Sequence, residues 1–131
     1  MAIEYSGLDI SFLADTESLA THQYRFVHLA DDNTVDLLDS ATEYPIGILQ
    51  NAPALGEVAV VRVAGVSKLV MNDAVAVGTK VKAEYVGAAD NGKGDAADTA
   101  KDNVRGICVM ASGAEDDVGA VLLCCDTLYA T

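Results

Sequence analysis

Few groupings among the 131 residues combine the residue types and the spacing that catalysis or metal binding needs. Two histidines, His22 and His28, fall in HQYRFVHLA (22–30), which reads as a strand. Six residues apart, they share one face but stand about 20 Å from each other, too far to hold one metal ion. We expect each at a surface or an edge. The loop DNGKGD (90–95), with Asp98 beyond it, sets Asp90, Asn91, Asp95 and Asp98 around two glycines, the oxygen donors that Ca²⁺ takes. It lacks the EF-hand spacing and the closing bidentate Glu. The expectation is a flexible turn in which Asn91-Gly92 supplies positive φ. Lys68, in GVSKLV, invites comparison with the modified lysine of a lipoylated or biotinylated carrier. Such a lysine stands at an exposed hairpin tip, whereas Lys68 falls inside a predicted strand. Cys108, Cys124 and Cys125 are odd in number and form no Cys-x-x-Cys, so they read as buried or idle thiols. Cys124 and Cys125, adjacent in a strand, point to opposite faces.

No Ser-His-Asp order, phosphate loop or metal-ligand spacing is present. Paired carboxylates occur only in acidic turns, without an apolar pocket to raise one pKa. The chain therefore reads as a non-enzyme with no cofactor and no metal.

Length allows one domain with its own core, needing no disulfide or metal. Hydrophobic residues make up 51% and aromatics only 5%, with no Trp, so that core is built from Val, Ala, Leu and Ile. Twenty carboxylates against eight basic residues give a net charge of −12, which repels phosphate backbones and anionic lipid. Neither nucleic acid nor membrane is expected as a partner. The first residues, MAIEYSGLDISFLAD, carry Glu4 and Asp9 where a secretory signal has Lys or Arg, and no apolar run approaches the roughly 18 residues of a membrane span. Synthesis and retention in a cytosol are expected.

The elements that would position these residues are strands. EVAVVRVAGVSKLVMNDAVAVGTKVKAEYVG (57–87) is dense in Val and broken by Gly65, Asn72-Asp73 and Gly78, which predicts strands near 57–63, 66–70, 74–77 and 80–86. Val58, Val60 and Arg62 share one face, and Ala59, Val61 and Val63 the other. AADNGKGDAADTAKDN (88–103) reads as a mobile loop. Strands resume at 104–112 and 118–130. Upstream, strands are predicted at 22–30 and 34–39, joined by the turn Asp31-Asp32-Asn33. ADTESLATH (14–22) could form a short helix capped by Asp15 or Thr16. The first 43 residues hold nine carboxylates and one basic residue, Arg25, and residues 1–13 carry Ile3, Tyr5, Leu8, Ile10 and Phe12. That much apolar surface needs a partner, whether the chain's own core or a neighbouring subunit.

IGILQNAPALGEVAVVRVAGVSKLV, followed by DAVAVGTKVKA, a Gly/Asp-rich loop and RGICVMASGAEDDVGAVLL, resembles the small capsid decoration or cement proteins of tailed bacteriophages. The resemblance covers roughly residues 44–125. Its most specific phrases are Gly-Ile-Leu-Gln-Asn-Ala-Pro-Ala-Leu-Gly-Glu and Val-Arg-Val-Ala-Gly-Val-Ser-Lys, with Asn103-x-Arg105-Gly106 before an apolar strand. It implies a compact β domain on the outside of an expanded head, as a homotrimer at three-fold or quasi-three-fold positions. There it would bridge capsomers of the major capsid protein and strengthen the shell against packaged DNA. Arms in such proteins reach to the shell or a neighbouring subunit.

The expectation is thus an all-β fold: a small β-barrel or β-sandwich-like domain of the β-tulip type, with an extended N-terminal arm (1–21), a β domain (22–131) and at most one short helix. Ile3, Tyr5, Leu8, Phe12, Tyr44, Asn51 and Pro53 are the candidate capsid or intersubunit contacts, the NAPALG loop being the part that presents a surface. A phage tail or baseplate part, or a monomeric β domain that carries a modified Lys68 or retains a ligand, are the competing readings.

Overall fold

The Val-rich run at the centre of the sequence forms one long strand, β5 (Val58–Val70), around which the rest of the chain is arranged. Residues 6–14, 17–40, 42–98 and 103–127 are described by the computed structural model, with the backbone alone for 125–127. Strands β1 (Gly7–Leu13), β2 (Phe26–Asp31), β3 (Thr34–Leu37) and β4 (Gly47–Leu49) precede β5. After it come β6 (Lys80–Ala83), β7 (Gly94–Ala96), β8 (Asn103–Met110) and β9 (Val118–Thr127). The fold is all-β, with no helix among the described residues. Residues 17–22, where a short helix was expected, form bends and turns.

The nine strands make one sheet in the order β1-β3-β2-β4-β5-β9-β8-β6-β7, and β1 also pairs with β5. Two rings therefore share β5. Its first half pairs antiparallel with β1 and β4, and its second half with β9. The first ring closes where β1 meets β3 at Leu13 and Thr34. The second closes through an isolated bridge between Met71 and Gly94.

Gly65 is where β5 passes from one ring to the other. The sequence suggested a break there and two strands; the structure has one strand bent at a glycine with φ +95°. A side chain would also strike the backbone of β1, since a Cβ at Gly65 would lie 2.5 Å from the Ser6 carbonyl oxygen. Only glycine accepts both the conformation and the contact.

The apolar side chains form two clusters, the second built by second-ring strands together with Phe26 of β2 and Ile48 of β4. Val27, Val35, Leu49, Ala59 and Val61 lie in the first, with Phe12 packed against them. Phe26, Ile48, Leu69, Met71, Val81 and Val121 lie in the second. The alternation read along β5 holds: Ala59 and Val61 are buried, while Val58 is exposed and Val60 and Arg62 are half-buried.

Other predicted elements are displaced. Residues 74–77 form no strand and contribute one bridge, Val75 to Ser112. The segment expected to be a mobile loop contains β7 and is tied down on two sides. Arg25 donates to the carbonyls of Ala89 and Asn91 at 2.9 and 3.1 Å, and the Phe26 amide donates to that of Gly92 at 2.7 Å. Gly92 has the positive φ expected of Asn91-Gly92, at +79°.

The segment read as an arm contains β1, which forms a ladder with β5 from Gly7 opposite Gly65 to Leu13 opposite Val58, with a bulge at Leu8/Asp9. Asp9 and Arg62 face each other and form a two-point ion pair at 2.7 and 3.2 Å.

Candidate contact surface

The NAPALG loop departs from β4 and returns to β5 within eight residues, so its backbone must find partners outside the sheet. The Asn51 side chain ties the loop to the first residues of β5: its Nδ2 donates to the Val58 carbonyl at 2.9 Å and its Oδ1 accepts from the Val60 amide at 3.0 Å. Pro53 is buried and its carbonyl accepts from Leu19 at 2.9 Å. Gly56 and Glu57 exchange backbone bonds with Ala14 at 2.6 and 3.0 Å. The loop is thereby held at both ends and at Pro53.

Its outer side forms an open depression of about 530 Å³ lined by Asn51, Ala52, Pro53, Gly56, Glu57 and Val58. Leu55 and Val58 are exposed at this site, as is Leu13, which faces Val58 across the β1–β5 ladder. Leu55 stands on this hydrogen-bonded loop and Val58 and Leu13 on the strands beside it, an arrangement that limits the ordering cost of a contact.

The other candidate residues do not converge here. Leu8, 57% exposed, is at the far end of β1, opposite Ala64. Phe12 turns inward onto the first core. Tyr44, 45% exposed, precedes β4. Ile3 and Tyr5 lie outside the described residues.

The groups considered for chemistry are occupied by structural roles. Lys93, 3% exposed, places its Nζ 2.8 Å from Asp90 and 2.6 Å from Asp116, with Glu115 at 3.7 Å. The Lys93 ammonium holds the Asp90 carboxyl below the usual carboxylate range. Asp95 accepts from the Ala96 amide and Asp98 lies 3.5 Å from Lys82, so the oxygens of the loop point to separate partners. No group of three acidic, His or Cys residues able to hold a metal ion occurs among the described residues.

Lys68 stands within β5, opposite Ala120, with its ammonium 5.7 Å above the Tyr24 ring. Cys108 is buried, which pushes its thiol pKa up. The histidines do not share a strand: β2 starts at Phe26, leaving His22 in the preceding turn. His28 sits 3.1 Å from Glu43. Burial, and then Arg25, push the pKa of His22 down, and its Nδ1 has no hydrogen-bond partner.

Two features are not legible in the sequence. Glu17 packs against β3, where its carboxylate accepts from the Leu37 amide at 3.3 Å. Burial, and then a hydrogen bond and repulsion from Asp36, raise its pKa to about 7. The acidic turns thus do contain a carboxylate pair with a displaced pKa, formed by residues 19 positions apart. Arg105, in the sequence one residue of a short phrase, is the second. It is 6% exposed and donates to the carbonyls of Pro45, Ile46, Val63 and Cys124, tying β8 to both rings.

No family model and no curated protein matches the sequence. Among solved structures, the fold is similar to the N base of the head fiber gp8.5 of bacteriophage phi29, with a TM-score of 0.66 and 13% identity. The likeness covers 94% of this chain and 98% of that one. At that identity it shows a shared fold, and it spans both rings rather than one.

Proposed function

We propose that this protein is a bacteriophage structural protein of the virion and no enzyme, made in the host cytoplasm and mounted on the outer face of the expanded head. In this reading it binds the major capsid protein as a homotrimer at three-fold or quasi-three-fold positions and bridges capsomers. The observation that carries the reading is the end-to-end fold likeness to the base of a phage head fiber. Exposed Leu55 on the loop and Val58 at the start of β5, beside a depression, offer a docking surface, and the −12 charge favours solubility of the unattached protein.

The mechanism is avidity. An expanded head presents many equivalent sites, so a modest contact per subunit is multiplied when a trimer engages several capsomers at once. Because the protein binds the intact lattice and not its dissociated parts, binding stabilises the lattice by mass action.

Co-sedimentation with expanded and unexpanded heads, prepared without the protein, tests this. Saturable binding to expanded heads alone is expected. Binding to neither form, with binding to tails, would move the protein to the tail or baseplate.

A further inference from the structure

On a chain of net charge −12, the outer face of β5, β9 and β8 in the second ring has a different composition from the rest. Residues 58–70, 103–110 and 118–125, which form β5, β8 and most of β9, contain no Asp or Glu. Cross-strand partners share a face, so one row can be followed over four strands. Val66 faces Leu122, Leu122 faces Ile107, and Ile107 faces Lys80. The next positions along β5 place Lys68 opposite Ala120 and Val70 opposite Val118. Beneath them, Ser67, Leu69, Cys108 and Val121 are buried; on the outward row Ala120 is buried too, and the exposure is carried by Lys68, Val118, Leu122 and Lys80. Leu122 and Val118 remain 43% and 44% exposed. Lys68 and Lys80 are exposed on the same face.

We propose that this face is where one copy of the chain packs against the next. The charges on this row, those of Lys68 and Lys80, are opposite in sign to the net charge of the chain, so a second copy's acidic exterior is attracted to it where two acidic exteriors repel. Its apolar row supplies area that gains from leaving water, and its lack of carboxylates spares their desolvation. A basic, apolar face meeting an acidic surface is a head-to-tail contact, and such contacts form closed rings when the rotation closes. The inference deepens the trimer reading above and rests on it, naming the face that holds copies together.

Sedimentation velocity on the purified full chain tests it, with thermal melting as a check on folding. The wild type is expected to associate, and Leu122→Glu and Val118→Glu to sediment as monomers that still melt in one cooperative transition, lowered only by the loss of association, since both side chains face outward. Lys68→Glu should weaken association about tenfold at low salt and by less at high salt. A wild type that is monomeric at its highest soluble concentration, or glutamate variants that associate like wild type, would overturn the proposal. A monomeric wild type whose binding to heads is abolished by Leu122→Glu would instead assign the face to the shell, which also overturns it. Dissociated variants together with a wild type that binds no heads would leave this contact standing and remove the head-binding reading.

Discussion

The Nη2 of Arg105 donates to the carbonyl of Ile46, 59 residues earlier in the chain, at 2.8 Å. The same nitrogen donates to Val63 at 2.9 Å, and Nε donates to Pro45 at 3.0 Å. A guanidinium at this depth with carbonyl acceptors from β5, β9 and the segment entering β4 joins elements that no single strand pairing connects.

Arg105→Leu leaves those carbonyls without their donor, and we expect a loss of about 3–5 kcal/mol in folding stability. Arg105→Lys should recover only part of it, because an ammonium cannot reproduce the planar fork. Urea unfolding of both variants checks this; an Arg105→Lys variant as stable as the wild type would show that charge alone suffices.

Gly65→Ala should destabilise the fold by roughly 2 kcal/mol or more, through the positive φ and the contact with the Ser6 carbonyl together. Gly56→Ala is the control. Its φ is +85°, but a Cβ there meets nothing within 4 Å, so its loss should be smaller. Thermal melts of the two variants measure the difference.

The Lys93 cluster predicts an acid limit. Asp90 has its pKa lowered from 3.8 by Lys93, so its contribution is present above that value and is lost as pH falls through the lower folded pKa. Lys93→Met should flatten the decline in melting temperature below pH 3.8 while lowering the melt at neutral pH. An unchanged acid profile would mean that the ion pairs contribute nothing to folding.

Glu17 predicts the opposite slope at higher pH. Its folded pKa of about 7 lies above the ordinary 4.5, so the folded state holds the proton more tightly and stability decreases as pH rises from 4.5 to 7. Glu17→Gln should remove that decrease and leave the variant slightly more stable than wild type above pH 7. The effect is small because Glu17 also faces water. Melting curves across this range, wild type against variant, are the measurement.

The sequence alone determined the all-β class, because β-branched residues at period 2, punctuated by Gly and Asn-Gly, suit pleated strands and leave no helical stripe. It also placed Lys68 inside a strand, where a carrier lysine does not belong, and identified the −12 charge. What it could not determine depends on residues far apart. Whether Gly65 ends a strand or bends one is decided by the approach of Ser6 and Gly7, which local propensity does not contain. Residues 88–98 look like a loop because their partners, Arg25, Phe26 and Met71, lie elsewhere in the chain. The Glu17–Asp36 pair and the four carbonyls on Arg105 come from pairings 19 to 60 residues apart. Only closure of the two rings brings them together, because a long-range contact has no local signature until the chain between its ends has folded.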